Sequence, residues 1–450
     1  MLKRILTTVF GKFESREEVK KYALLGLTFF VWIATYWALR PMKDSIFQNI
    51  VGAEYQPYAK MLSLVVVLLL IAVYGKLVDL LPRHKVFYLL TGIYAAGAFV
   101  FYFAFSDPIS GLANTAESPY RLIGWLWYLY VESSATLLVP LFWAFSADVS
   151  TPSSAKRGFP LIMLCAQFGN IIGPWLLRAK RFGFDNSAPV VALIGIAFLL
   201  FGSLIWLFMH VMPASEFHIS HQTKEEKSAK PGFLEGLKLI MQHRYLLGIF
   251  IFLLAYEAVQ AIIDFFWKFE AKKAFPDEAV RAEYYADFAV LIGVLSFLFL
   301  LFGINNIQRK LGMRASLITL PILVASGVLV WRFNPTMSVA FWVLVIFKAI
   351  NYALNQPSIK QLYMPTSKDA RYKSQAWIEV FGSRGAKALG SGVNALKLPM
   401  NNLFGTVAGA SIFLTVASFA SLGLVGIWFV TTFFVSQQYN KAVKEDRVVC

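Results

Sequence analysis

A dozen apolar runs of about twenty residues, one after another, restrict this chain more than any motif in it. They fall at 22–46, 60–81, 85–105, 121–147, 158–178 and 189–212, then at 245–268, 284–304, 314–332, 338–360, 373–396 and 404–436. The hydrocarbon core of a bilayer is ~30 Å thick and takes roughly 20 residues of helix to cross. Inside it every backbone N–H and C=O must be bonded within the protein, which leaves helices or closed barrels, and runs of this length fit helices. Of 450 residues, 58% are hydrophobic and 15% charged, too few polar groups to cover a water-soluble chain of this size. The 41 Phe, 12 Trp and 19 Tyr, many at the ends of runs, suit rings seated at the membrane–water interface. The sequence therefore predicts an all-α membrane protein of about 12 transmembrane helices, embedded in a lipid bilayer.

The longest polar interval, 213–244, carries Lys224, Glu225, Glu226, Lys227 and Lys230 and separates six runs from six. This predicts an N-terminal six-helix bundle over 1–212, a cytosolic linker over 213–244, a C-terminal six-helix bundle over 245–436 and a cytosolic tail over 437–450. A net charge of +16 in a soluble chain would suggest a nucleic-acid partner. Here the basic residues collect in short loops, so topology explains them and no nucleic acid is expected. Lys76, Arg83 and Lys85, then Lys156 and Arg157, the linker, Arg309, Lys310 and Arg314, Lys368 and Arg371, and the tail residues Lys441, Lys444 and Arg447 all fall on one side. The positive-inside rule then puts both termini in the cytosol. Arg178, Lys180 and Arg181 run against that trend, as does the mixed loop from Lys272 to Glu283; basic groups at a pore mouth would account for them. The first 21 residues hold six basic side chains but lack a small-residue cleavage site after an apolar core. They read as a cytosolic amphipathic lead-in, not as a removable signal.

The loop after the second run holds Gly75, Leu77, Asp79, Arg83 and Lys85. It resembles the G-x-L-x-D-x-x-G-R-[RK] cytosolic motif of the major facilitator superfamily, with Pro82 in place of the second glycine. At the matching place in the second half, Arg309, Lys310 and Gly312 form a loop of the same kind without the acid. Two related loops at corresponding positions predict a duplicated six-helix unit and a major-facilitator-like arrangement.

An ionised side chain within a span costs ~2.5–3.5 kcal/mol on insertion scales, so charges there are the most informative positions. Arg40 and Lys43, three apart at the end of the first run, share a helix face, although Pro41 is expected to kink the turn. The first run of the second half carries Glu257, Asp264 and Lys268, with Asp264 and Lys268 four apart. Glu132 lies too deep in the fourth run to reach an interface and must face protein or water. In the eleventh run Glu379, Arg384 and Lys387 stand among glycines that permit close packing or an opened backbone. Gln167 and Asn170, and Asn351 and Asn355, add neutral polar groups whose plainer role is to bond one helix to another. For Asp264 and Lys268 the plainer role is mutual neutralisation. Together Arg40, Lys43, Lys268, Arg384 and Lys387 predict an electropositive central cavity that takes an anion, with Arg matched to oxygen anions. Phosphorylated compounds suit several dispersed cations, and Trp143, Tyr256 or Trp377 offer ring faces for a base.

Over most of the chain these residues resemble the nucleotide transporters, or ATP/ADP translocases, of plastids and obligate intracellular bacteria. Leu39 to Asp44 is similar to that family's L-R-D-x-K-D, followed by Gly52, Ala53, Glu54 and Pro57. Glu132 with Phe142, Trp143 and Phe145 resembles E-x-W-G-S…F-W-G-F-A-N, and Ala155, Lys156 and Arg157 its A-K-R. Phe266, Trp267 and Lys268 with Phe275 and Pro276 resemble E-V-T-W-K…Y-P. Tyr352, Ala353 and Leu354 with Tyr363 and Pro365, then Ile378, Glu379, Val380, Arg384 and Lys387, follow its later motifs. The resemblance implies antiport of ATP against ADP or proton-coupled nucleotide uptake. It marks Lys43, Glu132 and Asp264 as functional positions. The chain departs from the pattern at Pro41, Ala147, Asp264, Gln356, Ile359 and Gln375, where the family has other residues, most of them charged. Another nucleotide or a different organic anion therefore stays open as the ligand.

The expected function is a secondary transporter of anionic phosphorylated metabolites, a nucleotide antiporter of the ATP/ADP type working by alternating access. Substrate would be held by Arg40, Lys43, Lys268, Arg384, Lys387, Gln167 and Asn351, and coupling or gating would fall to Glu132, Asp264, Asp79 and Arg83. The small-molecule anion is expected to be a nucleotide such as ATP or ADP, moving with phosphate or a proton, and the protein is expected as a monomer in a bacterial inner membrane. The alternative is a proton-coupled facilitator of another metabolite, with Glu132 or Asp264 as the protonated carboxylate. Five His, all in loops or at span ends, with no H-E-x-x-H, no P-loop and only two Cys, predict no enzyme chemistry, no cofactor and no metal.

Overall fold

A computed structural model describes residues 13–213, 233–302, 306–367, 370, 374–375, 377–445 and 447–449. Among them the regular structure is helical throughout. The long helices are α1 (Arg16–Ile50), α2 (Gln56–Leu80), α3 (Arg83–Ser106), α4 (Leu122–Asp148), α5 (Pro152–Leu176) and α6 (Ala188–Val211). They continue with α7 (Arg244–Ala274), α8 (Glu278–Leu301), α9 (Asn306–Phe333, broken at Gly312) and α10 (Met337–Leu362). The last two are α11 (Ser383–Ala395) and α12 (Thr406–Lys444). Eleven of the described helices, α1–α10 and α12, are long and apolar enough to cross a membrane. Their outer faces need lipid: Leu69, Val73, Phe103, Trp206 and Val430 are each more than half exposed.

The expected spans map onto these helices with four physical differences. Pro41 sits inside α1, which stays helical through it to Ile50. The stretch read as a mixed loop up to Glu283 is in part the start of α8, because its charges are bonded inward. The eleventh run holds a π-helical segment, Ile378–Gly382, that continues into the 13-residue α11. A second π segment, Asn351–Asn355, interrupts α10. Residues 214–232 of the expected linker, Lys368, Arg371 and the side chains of Asp79 and Arg309 lie outside the described ones.

Small residues decide which helices touch. A Cβ added to Gly173 would stand 2.1 Å from the Ala34 carbonyl oxygen, so α5 crosses α1 backbone to backbone. Gly390 does the same for α11 against α7, 2.5 Å from the Ala258 carbonyl oxygen. The packing pairs recur with an offset of six: α1 with α4, α5 and α6, α7 with α10, α11 and α12, and α3 with α6 as α9 with α12. This is the internal repeat expected of a duplicated unit.

The described residues cluster into two compact units. One draws on Met1–Gly52, Val65–Gln222 and Phe275–Gly293, the other on Ala53–Leu64, Thr223–Ala274 and Val294–Cys450. The first turns of α2 thus belong with the second unit and the first turns of α8 with the first.

Candidate functional site: buried ion clusters on the spanning helices

In the first unit, α1 and α4 bring Lys43 and Glu132 together. Lys43 Nζ lies 2.5 Å from Glu132 Oε1 and 3.6 Å from Asp44 Oδ1, and 4.4 Å from the centre of the Tyr128 ring. The lysine side chain is 8% exposed and the glutamate 28%, so the carboxylate is the half of the pair nearer open space. α4 is held in register beside it: Tyr94 of α3 donates to Ser133 Oγ at 2.9 Å, and Tyr130 donates to the Tyr94 carbonyl at 2.5 Å. Arg40, a turn before Lys43, places its guanidinium 4.8 Å from the Trp37 ring centre and 5.8 Å from that of Tyr36. Helical spacing sets Arg40 and Lys43 one turn apart on α1, and Lys43 is engaged by the carboxylates of Glu132 and Asp44.

In the second unit Asp264 of α7 meets more than its i+4 neighbour. Lys268 lies 2.6 Å from Oδ2, Lys60 from the start of α2 lies 3.2 Å from the same oxygen, and Lys348 of α10 lies 3.5 Å from Oδ1. Lys60 is 17% exposed and the other three side chains 11% or less. Sequence reading missed Lys60 because it stands at the edge of its run, and Lys348 because it is a lone charge. Their signal was present all the same, since each is a lysine within a span-length helix.

Elsewhere the expected site residues separate. Lys387 stands 3.6 Å from Glu257 and is half exposed, and Arg384 lies partly buried a turn earlier on α11. Gln167 donates to the Gly293 carbonyl at 3.1 Å and so bonds α5 to α8, whereas Asn355 donates to Asn351 Oδ1 at 2.8 Å within the same π segment of α10. Arg83 pairs with Asp148 and donates to the Ala144 carbonyl at 2.7 Å, tying the start of α3 to the end of α4. Trp143 packs edge-on against Phe29 and Phe159, Tyr256 against Trp428, and Trp377 against Phe250.

A further buried group sits where a loop was expected. Arg281 is fully buried and donates to the carbonyls of Phe275, Pro276 and Ser45 at 2.8, 2.9 and 3.0 Å. Glu278 accepts from Ser45 Oγ, Ser187 N and Ser187 Oγ at 2.9–3.0 Å. The basic loop that opposed the charge trend is answered in the same unit: Arg178 pairs with Asp287 at 2.6 Å, and Lys180 lies 3.8 Å from Asp277.

Paired charges on apolar, span-length helices, in a repeated six-helix pattern, are the furniture of a transporter. The family model described as TLC ATP/ADP transporter matches residues 8–113 and 120–439. The chain belongs to the TLC ATP/ADP transporter family. It is 24% identical over 478 residues to ADP,ATP carrier protein 1 of Rickettsia prowazekii, covering 95% of each chain. To ADP,ATP carrier protein 4 of Rickettsia bellii it is 23% identical over 490 residues, covering 95% of this chain and 92% of that one. Among solved structures, the nucleoside transporter NupG superposes with a TM-score of 0.64 at 14% identity, over 93% of this chain and 99% of that one. A bacterial homologue of the iron transporter ferroportin gives 0.65 at 12% identity, over 92% and 99%. These likenesses establish the fold, an all-α major-facilitator-type architecture. As a member of this transporter family, with eleven described helices long and apolar enough to cross a membrane, the chain is a multi-pass membrane transporter and not an enzyme.

Proposed function

We propose that this TLC family member exchanges adenine nucleotides, ATP against ADP, by alternating access between its two six-helix halves. The observation that carries the reading is the buried Lys43–Glu132 pair on α1 and α4, at positions where the family resemblance expects function. A substrate phosphate is the kind of group that competes with Glu132 for Lys43, because both are oxygen anions and the phosphate carries more charge. Arg40, Lys268, Arg384 and Lys387 supply further cations, and Gln167 and Asn351 neutral contacts. Glu132 and Asp264 couple binding to movement, and Asp79 and Arg83 act in gating near the α2–α3 loop. Both termini face the cytosol, as the loop lysines and arginines favour, in an inner membrane and as a monomer.

The test is reconstitution into vesicles. Uptake of labelled ATP should require ADP inside and ignore a pH gradient. Uptake that needs no internal nucleotide and follows the gradient would replace antiport with proton coupling. A panel of nucleotides and other anions that leaves ATP uptake unaffected only by non-nucleotides would fix the substrate class.

A further inference from the structure

Glu278 opens α8 and is 6% exposed, yet its carboxyl is met by hydroxyls and an amide instead of a cation. Oε1 lies 2.9 Å from Ser45 Oγ of α1 and 2.9 Å from Ser187 Oγ at the head of α6, and Oε2 lies 3.0 Å from Ser187 N. The Ser45 hydroxyl also lies 2.6 Å from the Glu278 carbonyl oxygen. If Glu278 is ionised, these four contacts, all within the first unit, share three hydrogens, one on each hydroxyl and one on the amide. Ser45 then has a single hydrogen for two oxygens, and the contact it leaves bare is an oxygen pair at 2.6 or 2.9 Å. A neutral carboxyl supplies the fourth hydrogen: Oε1–H donates to Ser45 Oγ, whose own hydrogen goes to the carbonyl at 2.6 Å.

The neighbouring charges do not pair with Glu278. Arg281, one turn on, gives its guanidinium to three backbone carbonyls, and its charge reaches Glu278 only from beyond ion-pair contact. Asp44, beside Ser45, lies 3.6 Å from Lys43, Asp277 lies 3.8 Å from Lys180, and Asp287 lies 2.6 Å from Arg178. Glu117 acts on Arg281, Tyr285 donates to Gln48, and Glu283 borders a crevice beside Ser187. The first turn of α6, whose cap Ser187 bonds Oε2, and that of α8 favour an anion through their dipoles, but by less than burying an unpaired charge costs.

We propose that Glu278 is a proton-binding site, held as the neutral acid between Ser45 and Ser187, and that loss of its proton loosens the head of α8 from α1 and α6. Ionisation leaves a buried charge facing oxygens that have one hydrogen too few, and water relieves it only when the three helix ends part. The crevice beside Ser187, bordered by Arg178 and Glu283, gives the proton a way out. The step is an acid dissociation: the O–H bond breaks, the proton goes to water and the carboxylate stays behind. The head of α8 is thereby clamped at low pH and released at high pH, whichever anion the protein carries.

Infrared difference spectra of the purified full-length protein in detergent test this, because the C=O stretch of a neutral carboxyl stands apart from carboxylate and amide bands. Wild type minus Glu278→Gln at neutral pH should show one protonated-carboxyl band, and wild type should lose that band as the pH is raised. Thermal unfolding gives a second reading. A carboxyl that is neutral in the fold and ordinary in the unfolded chain contributes stability that is complete at low pH and is lost as pH rises through its titration in the fold. The wild-type midpoint should therefore fall relative to that of Glu278→Gln over the range where the band disappears. A spectrum with no such difference at neutral pH, or midpoints that keep a constant separation, would overturn the proposal. Should Glu278→Gln fail to fold, Ser187→Ala replaces it: removing a hydroxyl that bonds Oε1 should shift the frequency of the titrating band, and an unmoved band would overturn the proposal.

Discussion

Replacing Glu132 with alanine would leave Lys43 within the α1–α4 contact with Asp44 at 3.6 Å and the Tyr128 ring as its nearest compensation. Removing one partner of a fully buried ion pair costs about 3–5 kcal/mol. Glu132 is 28% exposed, so water already screens part of the pair, and Asp44 retains part of the attraction. The expected loss is therefore lower, about 2 kcal/mol, or roughly 30-fold in the folded population. Thermal unfolding in detergent should show it as a lower midpoint, alongside loss of nucleotide exchange in vesicles. Glu132→Gln keeps an acceptor oxygen and should recover much of the stability but little of the exchange. The double change Lys43→Met with Glu132→Leu should restore stability, because an apolar pair avoids the desolvation of both ions, while exchange stays absent. Wild-type unfolding and wild-type exchange in Glu132→Ala would refute the reasoning.

Gly173→Val should lower the unfolding midpoint and yield by overpacking, about 1–3 kcal/mol, since even a Cβ there meets the Ala34 backbone; an unchanged midpoint would mean that α1 and α5 separate easily. Arg281→Lys should destabilise nearly as much as Arg281→Met, because a single ammonium cannot reach the carbonyls of Phe275, Pro276 and Ser45 together; thermal unfolding of both variants decides it. In the loop after α3, hydrogen bonds from the Ser110 backbone and hydroxyl and the Ile109 N–H hold the Asp107 carboxyl below its usual value of 3.8. A depressed carboxylate contributes order that is complete above that value and is lost as pH falls through the lower, folded one. Amide exchange at Ile109 and Ser110, compared with Asp107→Ala at each pH, should therefore converge with the variant only in strong acid.

Hydropathy made most of the spans legible, because crossing a bilayer leaves a signature in every segment that does it. It misjudged places where polarity is buried. Glu278 and Arg281 read as loop residues since nothing local shows that Ser45 and Ser187, far away in sequence, will bond them. Lys43 with Glu132 could be suspected from depth alone, but the partnership spans 89 positions and only packing reveals it. The pairing of Asp264 with Lys268 followed from spacing; Lys60 and Lys348 did not, because the helices that deliver them meet α7 only in the folded unit. Rings are common in such a chain, and the contacts of Trp143 with Phe29, Tyr256 with Trp428 and Trp377 with Phe250 had no local signal in the sequence.

The π segment in α10 has a consequence for anyone who would rebuild this helix. A wide turn holds one residue beyond what an α-spiral needs, so it works as a phase slip between Met337–Ile350 and Gln356–Leu362. Deleting or regularising it would rotate the two parts by about 100° relative to each other. Lys348 would keep its heading while Ser358, Ile359 and Lys360 turned to a different quarter. A helical wheel drawn straight through α10 therefore mislabels one end of it, and a chimera joined within Asn351–Asn355 must carry the spare residue along.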